Sequence, residues 1–234
     1  MMILGDTTEP SFWGEVFPYW LAGVGAVFSA VGTIAVALWA VNGDEWKKFF
    51  GPTLIFKPLR DFAPHGTPGK ERVWYHLAVH AESKMAGFGS QKALNCYVEL
   101  ERLQKKSHNS VEFEEKYFPV KPKFAWSPFP LKPDEIAIKS DAPAQLDFGF
   151  IDVTNDPVRF TPALSRWMPD EIQQYGAVAQ GEAVRYFLRI YADNAYAANF
   201  AVEVSWPRSW DGTFENLGSC VDVCPIILEN SSSA

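Results

Sequence analysis

Between Val16 and Gly43 the chain reads VFPYWLAGVGAVFSAVGTIAVALWAVNG, with no Asp, Glu, Lys, Arg or His. As an α-helix its apolar heart, Leu21 to Val41, would run about 30 Å, the depth of a bilayer's hydrocarbon core. A helix packed in the core of a soluble domain keeps a polar stripe toward water, and this one has none. The stretch therefore predicts one transmembrane helix over residues 16–43, with the lipid bilayer as a partner. Trp13, Tyr19 and Trp20 at one boundary, and Trp39 and Trp46 at the other, are the expected interfacial anchors. Amphipathic rings settle at headgroup depth, where one edge is wet and the other apolar. Residues 1–15 form a short acidic segment without Lys or Arg, and the apolar run exceeds the hydrophobic region of a leader peptide. A retained anchor is expected.

The two flanks differ in charge. Asp6, Glu9 and Glu15 precede the span, whereas Lys47, Lys48, Lys57 and Arg60 follow it. Basic residues near a span stay on the cytoplasmic face, so the expected topology is single-pass in the inner (plasma) membrane, N-terminus outside and the large domain cytoplasmic. The helix surface is also asymmetric. At 100° per residue, Ala22, Gly25, Ala26, Ser29, Ala30, Thr33 and Ala37 share one side, while Leu21, Val24, Val27, Phe28, Val31, Ile34 and Leu38 share the other. Small residues let a second backbone approach closely, and Ser29 or Thr33 would bond across such a contact. This face is the expected docking surface for an integral membrane partner. The competing reading is a helix alone in lipid.

After a juxtamembrane linker over 44–52, ending at Gly51-Pro52, the pattern changes to period two. In RVWYHLAVHAES (72–83) Val73, Tyr75, Leu77 and Val79 are in phase. In ALNCYVELERL (93–103) the phase is Leu94, Cys96, Val98 and Leu100, with Asn95, Glu99 and Glu101 facing out. In NFAVEVSW (199–206) it is Phe200, Val202, Val204 and Trp206. TLIFKPL, KFAWSPF, EIAIKS, AQLDFGFIDV, AVRYFLRIYADN and CVDVCPIIL complete the series of short runs between turn signals. They predict a mainly-β domain over 53–228, an antiparallel β-sandwich of immunoglobulin-like type, with a barrel as the main competitor. Residues 229–234 (ENSSSA) read as a disordered tail.

Two long connections interrupt the series. Residues 105–133 hold Phe118, Trp126 and Phe129, and residues 157–182 hold Phe160, Trp167 and Met168. PDEIQQYG (169–176) predicts a short helix, with Pro first, acids in the first turn and Gly at the end. Loops so long and aromatic are unusual as connectors. Either they cap the ends of the sandwich, or these six residues form an exposed patch for a partner.

No motif for catalysis or cofactor binding emerges. The three cysteines, Cys96, Cys220 and Cys224, lack zinc spacing and fit free thiols. A strand through Cys220 and Cys224 would hold them roughly 13 Å apart, too far for a disulfide. Period two also separates His76 from His80. DVTNDP (152–157) and DNAYAAN (193–199) are read as turns rather than calcium loops. GTPGKER (66–72) lacks phosphate-loop spacing. The helix offers no His or Cys to a haem. A net charge of −7 gives no electrostatic case for nucleic acid. No metal, cofactor or catalytic residue is assigned.

The segment YHLAVHAESKMAGFGSQKALNCYVELERL resembles one found in uncharacterised bacterial single-pass membrane-anchored proteins with an immunoglobulin-like β-sandwich domain. Leu77, Val79, Ala93, Asn95, Cys96, Val98, Leu100 and Glu101 carry the resemblance. Ala81-Glu82-Ser83 stands where an Asn-Gly turn follows the first strand, so the turn differs. The resemblance implies a β-sandwich and no known activity.

Two functions fit these features. One is a non-catalytic accessory or scaffolding subunit of a larger hetero-oligomeric membrane complex, of respiratory, photosynthetic, transport or secretion type. The other is a membrane-tethered recognition or sensor module that binds a soluble ligand or peptide through aromatic loops.

Overall fold

The structure, a computed structural model, describes residues 17–65, 72–83, 92–127, 135–139, 141–164 and 170–226. It divides into two compact units, Met1–Trp46 and Lys47–Ala234.

Helix α1 (Phe17–Phe50) contains the uncharged stretch from Phe17 onward, and none of its residues is buried. It is the one helix among the described residues that is long and apolar enough to cross a membrane. Asn42 leaves helical geometry (φ −115°, ψ 17°), so the helix kinks where the apolar run ends. It then continues through residues 44–50, read from sequence as linker. Lys47 and Lys48 occupy the last turn, facing the negative end of the helix dipole.

The second unit is mainly β. Its strands are β1 (Thr53–His65), β2 (Arg72–Glu82), β3 (Ala93–Lys106), β4 (Glu114–Tyr117), β5 (Ala125–Trp126), β6 (Ile136–Ile138), β7 (Ala144–Asp152), β8 (Phe160–Pro162), β9 (Ala183–Ala192), β10 (Ala195–Ser205) and β11 (Asp222–Ile226). Two short helices interrupt them, α2 (Asp170–Gly176) and α3 (Phe214–Cys220). The first sheet has the order β1-β2-β7-β5, with β8 also on β7. The second has the order β11-β10-β9-β3-β4, with β6 also on β3. Their pairings are antiparallel. Bulges between Pro58 and Phe62 and between Tyr75 and His76 accompany a curled first sheet.

One hydrophobic core joins the two sheets. Phe148 on β7 meets Tyr186 on β9 edge to face, ring centroids 5.1 Å apart, and Phe56 on β1 meets Phe200 on β10 at 4.4 Å. Val73, Tyr75, Leu77 and Val79 are buried in the phase the sequence predicted, as are Val202, Val204 and Trp206. Tyr186 donates its hydroxyl to the carbonyl of Gly176 at the end of α2, and burial holds its phenol protonated. Gly149 is required where the Phe160 ring crosses β7, since a Cβ there would lie 2.2 Å from Cζ.

The long central strands β3 and β7 are each covered along one edge by short pieces. On β3 these are β6, then residues 122–124 (Leu100 N to Pro122 O, 2.8 Å; Phe124 N to Val98 O, 3.0 Å), then β4. On β7 they are β5 and β8. The chain thus passes from the second sheet to the first within residues 122–126. That crossing satisfies backbone groups that an open sheet edge would leave unpaired.

The period-two reading fails at the start of β3. Asn95 has φ 50°, and the register shifts between Ala93 and Cys96. This bulge turns both Ala93 and Cys96 inward and leaves Leu94 45% exposed instead of buried. The predicted strand 220–228 is also corrected. Cys220 ends α3, so strand spacing does not relate it to Cys224 on β11.

Candidate functional site

The anchor's small side presents little beyond backbone. Ala22, Gly25, Ala26, Ser29, Ala30, Thr33 and Ala37 are all exposed, and a Cβ on Gly25 would meet nothing within 4 Å. Thr33 Oγ1 donates to the Ser29 carbonyl at 2.8 Å. Its proton is therefore used within the helix, which leaves the hydroxyl oxygen as an acceptor only. The opposite side is rough, with a groove lined by Trp20, Gly23, Val24, Val27 and Phe28. Tyr19, Trp20, Trp39 and Trp46 are exposed along α1, and Trp20 stacks on Phe17 at 6.3 Å. Trp13 lies outside the described residues.

Three of the six candidate aromatic-loop residues serve the core, while Tyr117 in the first of the two connections is exposed. Phe118, Trp126 and Phe160 are buried and cannot be presented to a partner. The physical reason is that Trp126 lies on β5 and Phe160 on β8, short strands that carry their rings into the core, while Phe118 joins it just after the exposed strand β4. Trp126 Nε1 donates to the carbonyl of Cys96, and Phe160 packs on Tyr75, Phe148 and Tyr186. Phe129, Trp167 and Met168 lie outside the described residues.

The remaining polar candidates are engaged locally. Asp152 Oδ1 accepts from the Thr154 backbone N–H (3.0 Å) and hydroxyl (2.6 Å), and Oδ2 accepts from Arg72 Nε (2.7 Å). Burial opposes ionisation of this carboxyl, but the Thr154 and Arg72 bonds outweigh it and hold its pKa below the usual value. Asp193 and Asn194 bond to the start of β3. His76 Nδ1 stands 3.1 Å from Asp147 Oδ1, its cross-strand neighbour, without hydrogen-bond alignment. Cys96, Cys220 and Cys224 are free thiols, and burial pushes Cys96 up to about 12. Among the described residues no group of three His, Cys, Asp or Glu is placed to hold a metal ion. Of GTPGKER, only Arg72 is described.

The outer face of the second sheet was missed by the sequence reading. Tyr97 and Tyr191, opposite each other on β3 and β9, stack at 4.9 Å, with Lys123 over Tyr97 at 4.0 Å and Arg189 over Tyr191 at 5.1 Å. Arg102 covers Phe187 at 3.7 Å and Arg185 covers Phe113 at 3.8 Å. The signal was present as aromatic residues alternating with core positions. These rings are spent on cations of the same chain, which makes the face a braced surface.

The sequence matches no protein-family model and no curated protein.

Proposed function

We propose that this protein is a non-catalytic accessory subunit of a membrane complex, held by the small face of α1, with its β-domain on the cytoplasmic side. The observation that carries the reading is the contrast between the two candidate surfaces. The small side of α1 lies bare from Ala22 to Ala37, about four turns, whereas Phe118, Trp126 and Phe160 of the two long connections are buried in the domain's own core. Without water between helices in lipid, close packing and hydrogen bonding drive association, and a surface of Ala, Gly, Ser and Thr supplies both. Two facing antiparallel sheets bridged by a buried Trp support assigning the domain to the immunoglobulin-like sandwiches.

Bulk on the small face tests the docking. Gly25→Leu or Ser29→Leu pushes the two backbones apart and should weaken association by about 1–2 kcal/mol, roughly tenfold. Val24→Leu and Val31→Leu add bulk on the opposite side and should leave the complex intact through mild detergent extraction and sizing. Equal co-purification of all four variants overturns the docking face. Protease added to sealed right-side-out vesicles should spare the β-domain, and its digestion there reverses the topology.

A further inference from the structure

We infer that Asn42 and Gly43, at the kink of α1, form a self-modifying site, where Asn42 converts to aspartate or isoaspartate with release of ammonia. The chemistry needs only water and is independent of any partner for α1.

The chain holds one Asn-Gly pair, and it lies here. Asn42 is exposed and sits at φ −115°, ψ 17°, outside the geometry of the helical residues around it. A regular helix fixes ψ near about −42° and so holds the following nitrogen at a set distance from the side chain. At Asn42 that constraint is already broken. Among the described residues no side-chain hydrogen bond engages the Asn42 amide. Three other asparagines are held: Asn95 bonds to Asp193, Asn194 to Leu94 and Lys92, and Asn216 to Asp211.

Gly43 has no packing duty. A Cβ there would meet only the Trp39 ring, with Nε1 at 3.8 Å and Cδ1 at 3.9 Å, which is ordinary contact. Nor is it among the glycines with positive φ, which are Gly181 and Gly212. Glycine also weakens a helix relative to alanine. What its missing side chain supplies is an unshielded backbone nitrogen beside the Asn42 amide.

In the first step the Gly43 nitrogen gives its proton to water and attacks Asn42 Cγ. The N–Cγ bond forms, the Cγ–Nδ2 bond breaks, and ammonia leaves, closing a cyclic imide. Water then opens one of the two imide carbonyls. Opening at Cγ leaves aspartate; opening at the main-chain carbonyl leaves isoaspartate, with the backbone routed through the former side chain. Water is consumed, ammonia is released, and nothing is oxidised or reduced. Either product adds a negative charge just ahead of Asp44 and Glu45, and isoaspartate also lengthens the backbone by a methylene, interrupting the helix after Val41.

The β-domain contains the related pair Asp211-Gly212 in a protected form. Asp211 Oδ1 accepts from the Thr213 N–H at 2.8 Å and hydroxyl at 2.6 Å, and Oδ2 accepts from Asn216 Nδ2 at 2.6 Å. The Thr213 and Asn216 bonds hold this carboxyl below its usual pKa, and an ionised carboxylate is a poor electrophile.

The test ages the full chain in mild detergent and mildly alkaline buffer, with peptide mass spectrometry and isoaspartyl methyltransferase labelling as readouts. Position 42 should convert at a rate of the same order as a free synthetic peptide of residues 39–48. Gly43→Ala should slow conversion by roughly tenfold or more, since a Cβ shields the nitrogen and narrows the backbone's range. Asn42→Gln, which must close a larger ring, should stay intact, and position 211 should remain aspartate until denaturant is added. A parent protein intact at 42 while the free peptide converts would show that the helix protects the pair, and the inference falls. It falls equally if Gly43→Ala converts as fast as the parent, or if position 211 reacts as fast as 42 in folded protein.

Discussion

Trp126 on β5 donates its indole N–H to the carbonyl of Cys96 on β3, across 3.0 Å of the buried core, and so ties the first sheet to the second. Trp126→Phe keeps most of the ring but leaves the carbonyl without that donor. The loss should be about 1–3 kcal/mol, a fall in Tm of roughly 2–10 °C for a domain of this size. Trp126→Ala also opens a cavity and should cost about 3–5 kcal/mol. Thermal unfolding followed by circular dichroism reads both. A Trp126→Phe variant as stable as the parent would show that the bond contributes nothing net.

The same core controls thiol chemistry. Only a thiolate attacks an alkylating reagent, and burial raises the Cys96 pKa to about 12. Cys220 is buried as well, its Sγ 3.3 Å from the Asn216 carbonyl, while Cys224 is exposed on β11. Brief iodoacetamide treatment near pH 8 should modify Cys224 and spare the other two, and all three should react in denaturant. Peptide mass spectrometry assigns the sites. Cys96 labelled as fast as Cys224 in folded protein would contradict the packing.

What could be read from sequence follows from how far each signal extends. The absence of charge over 28 residues is a continuous property, and α1 contains nearly all of them. Alternation in β2 or β10 involves several residues in phase, so its strands and their inner faces were legible. A bulge is one residue long. Asn95 at φ 50° reverses Leu94 without leaving a periodic trace, and only its Asn, tolerant of that conformation, hinted at it. Strands β5 and β8 are too short to show a period, and Phe118 follows β4 outside any strand, so Phe118, Trp126 and Phe160 looked like loop residues when they are core. Burial of such pieces depends on long-range pairing with β3 and β7. Likewise α3 follows Asp211, which accepts from the N–H and hydroxyl of Thr213, a short polar cluster that reads equally as a turn.

Acid should loosen the β7 end of the first sheet. Asp152 is favoured as a carboxylate in the fold, so its folded pKa lies below that of an ordinary aspartate. A depressed folded pKa contributes stability that is present above the unfolded value and is lost as pH falls through the folded one. The Arg72→Met and Thr154→Val variants remove the groups that lower it. Each should move the acid unfolding midpoint upward relative to the parent, with the loss growing smaller below the ordinary aspartate pKa as the carboxyl protonates in both states. Tryptophan fluorescence against pH measures the midpoint. Unchanged midpoints in both variants would show that the Asp152 cluster carries no linkage.

Gly51 gives the most direct test of how the chain enters the β-domain. Its missing side chain accommodates the Asn194 carbonyl, and that carbonyl cannot retreat, because the Asn194 side chain is bonded to Leu94 N and Lys92 O. Gly51→Ala therefore overpacks a backbone contact and should cost about 1–3 kcal/mol, whereas Gly25→Ala, with open space around it, should leave domain stability unchanged. Where the strain goes is also measurable. The hydrogen bonds from Asp193 N to Leu94 O and from Leu94 N to Asn194 Oδ1 are the ones that must give, so amide exchange should accelerate at Leu94 and Asp193 and stay slow at Leu188 and Val204 in the sheet interior. A Gly51→Ala protein with parental stability and parental exchange at Leu94 would mean that the contact between Gly51 and the Asn194 carbonyl is loose.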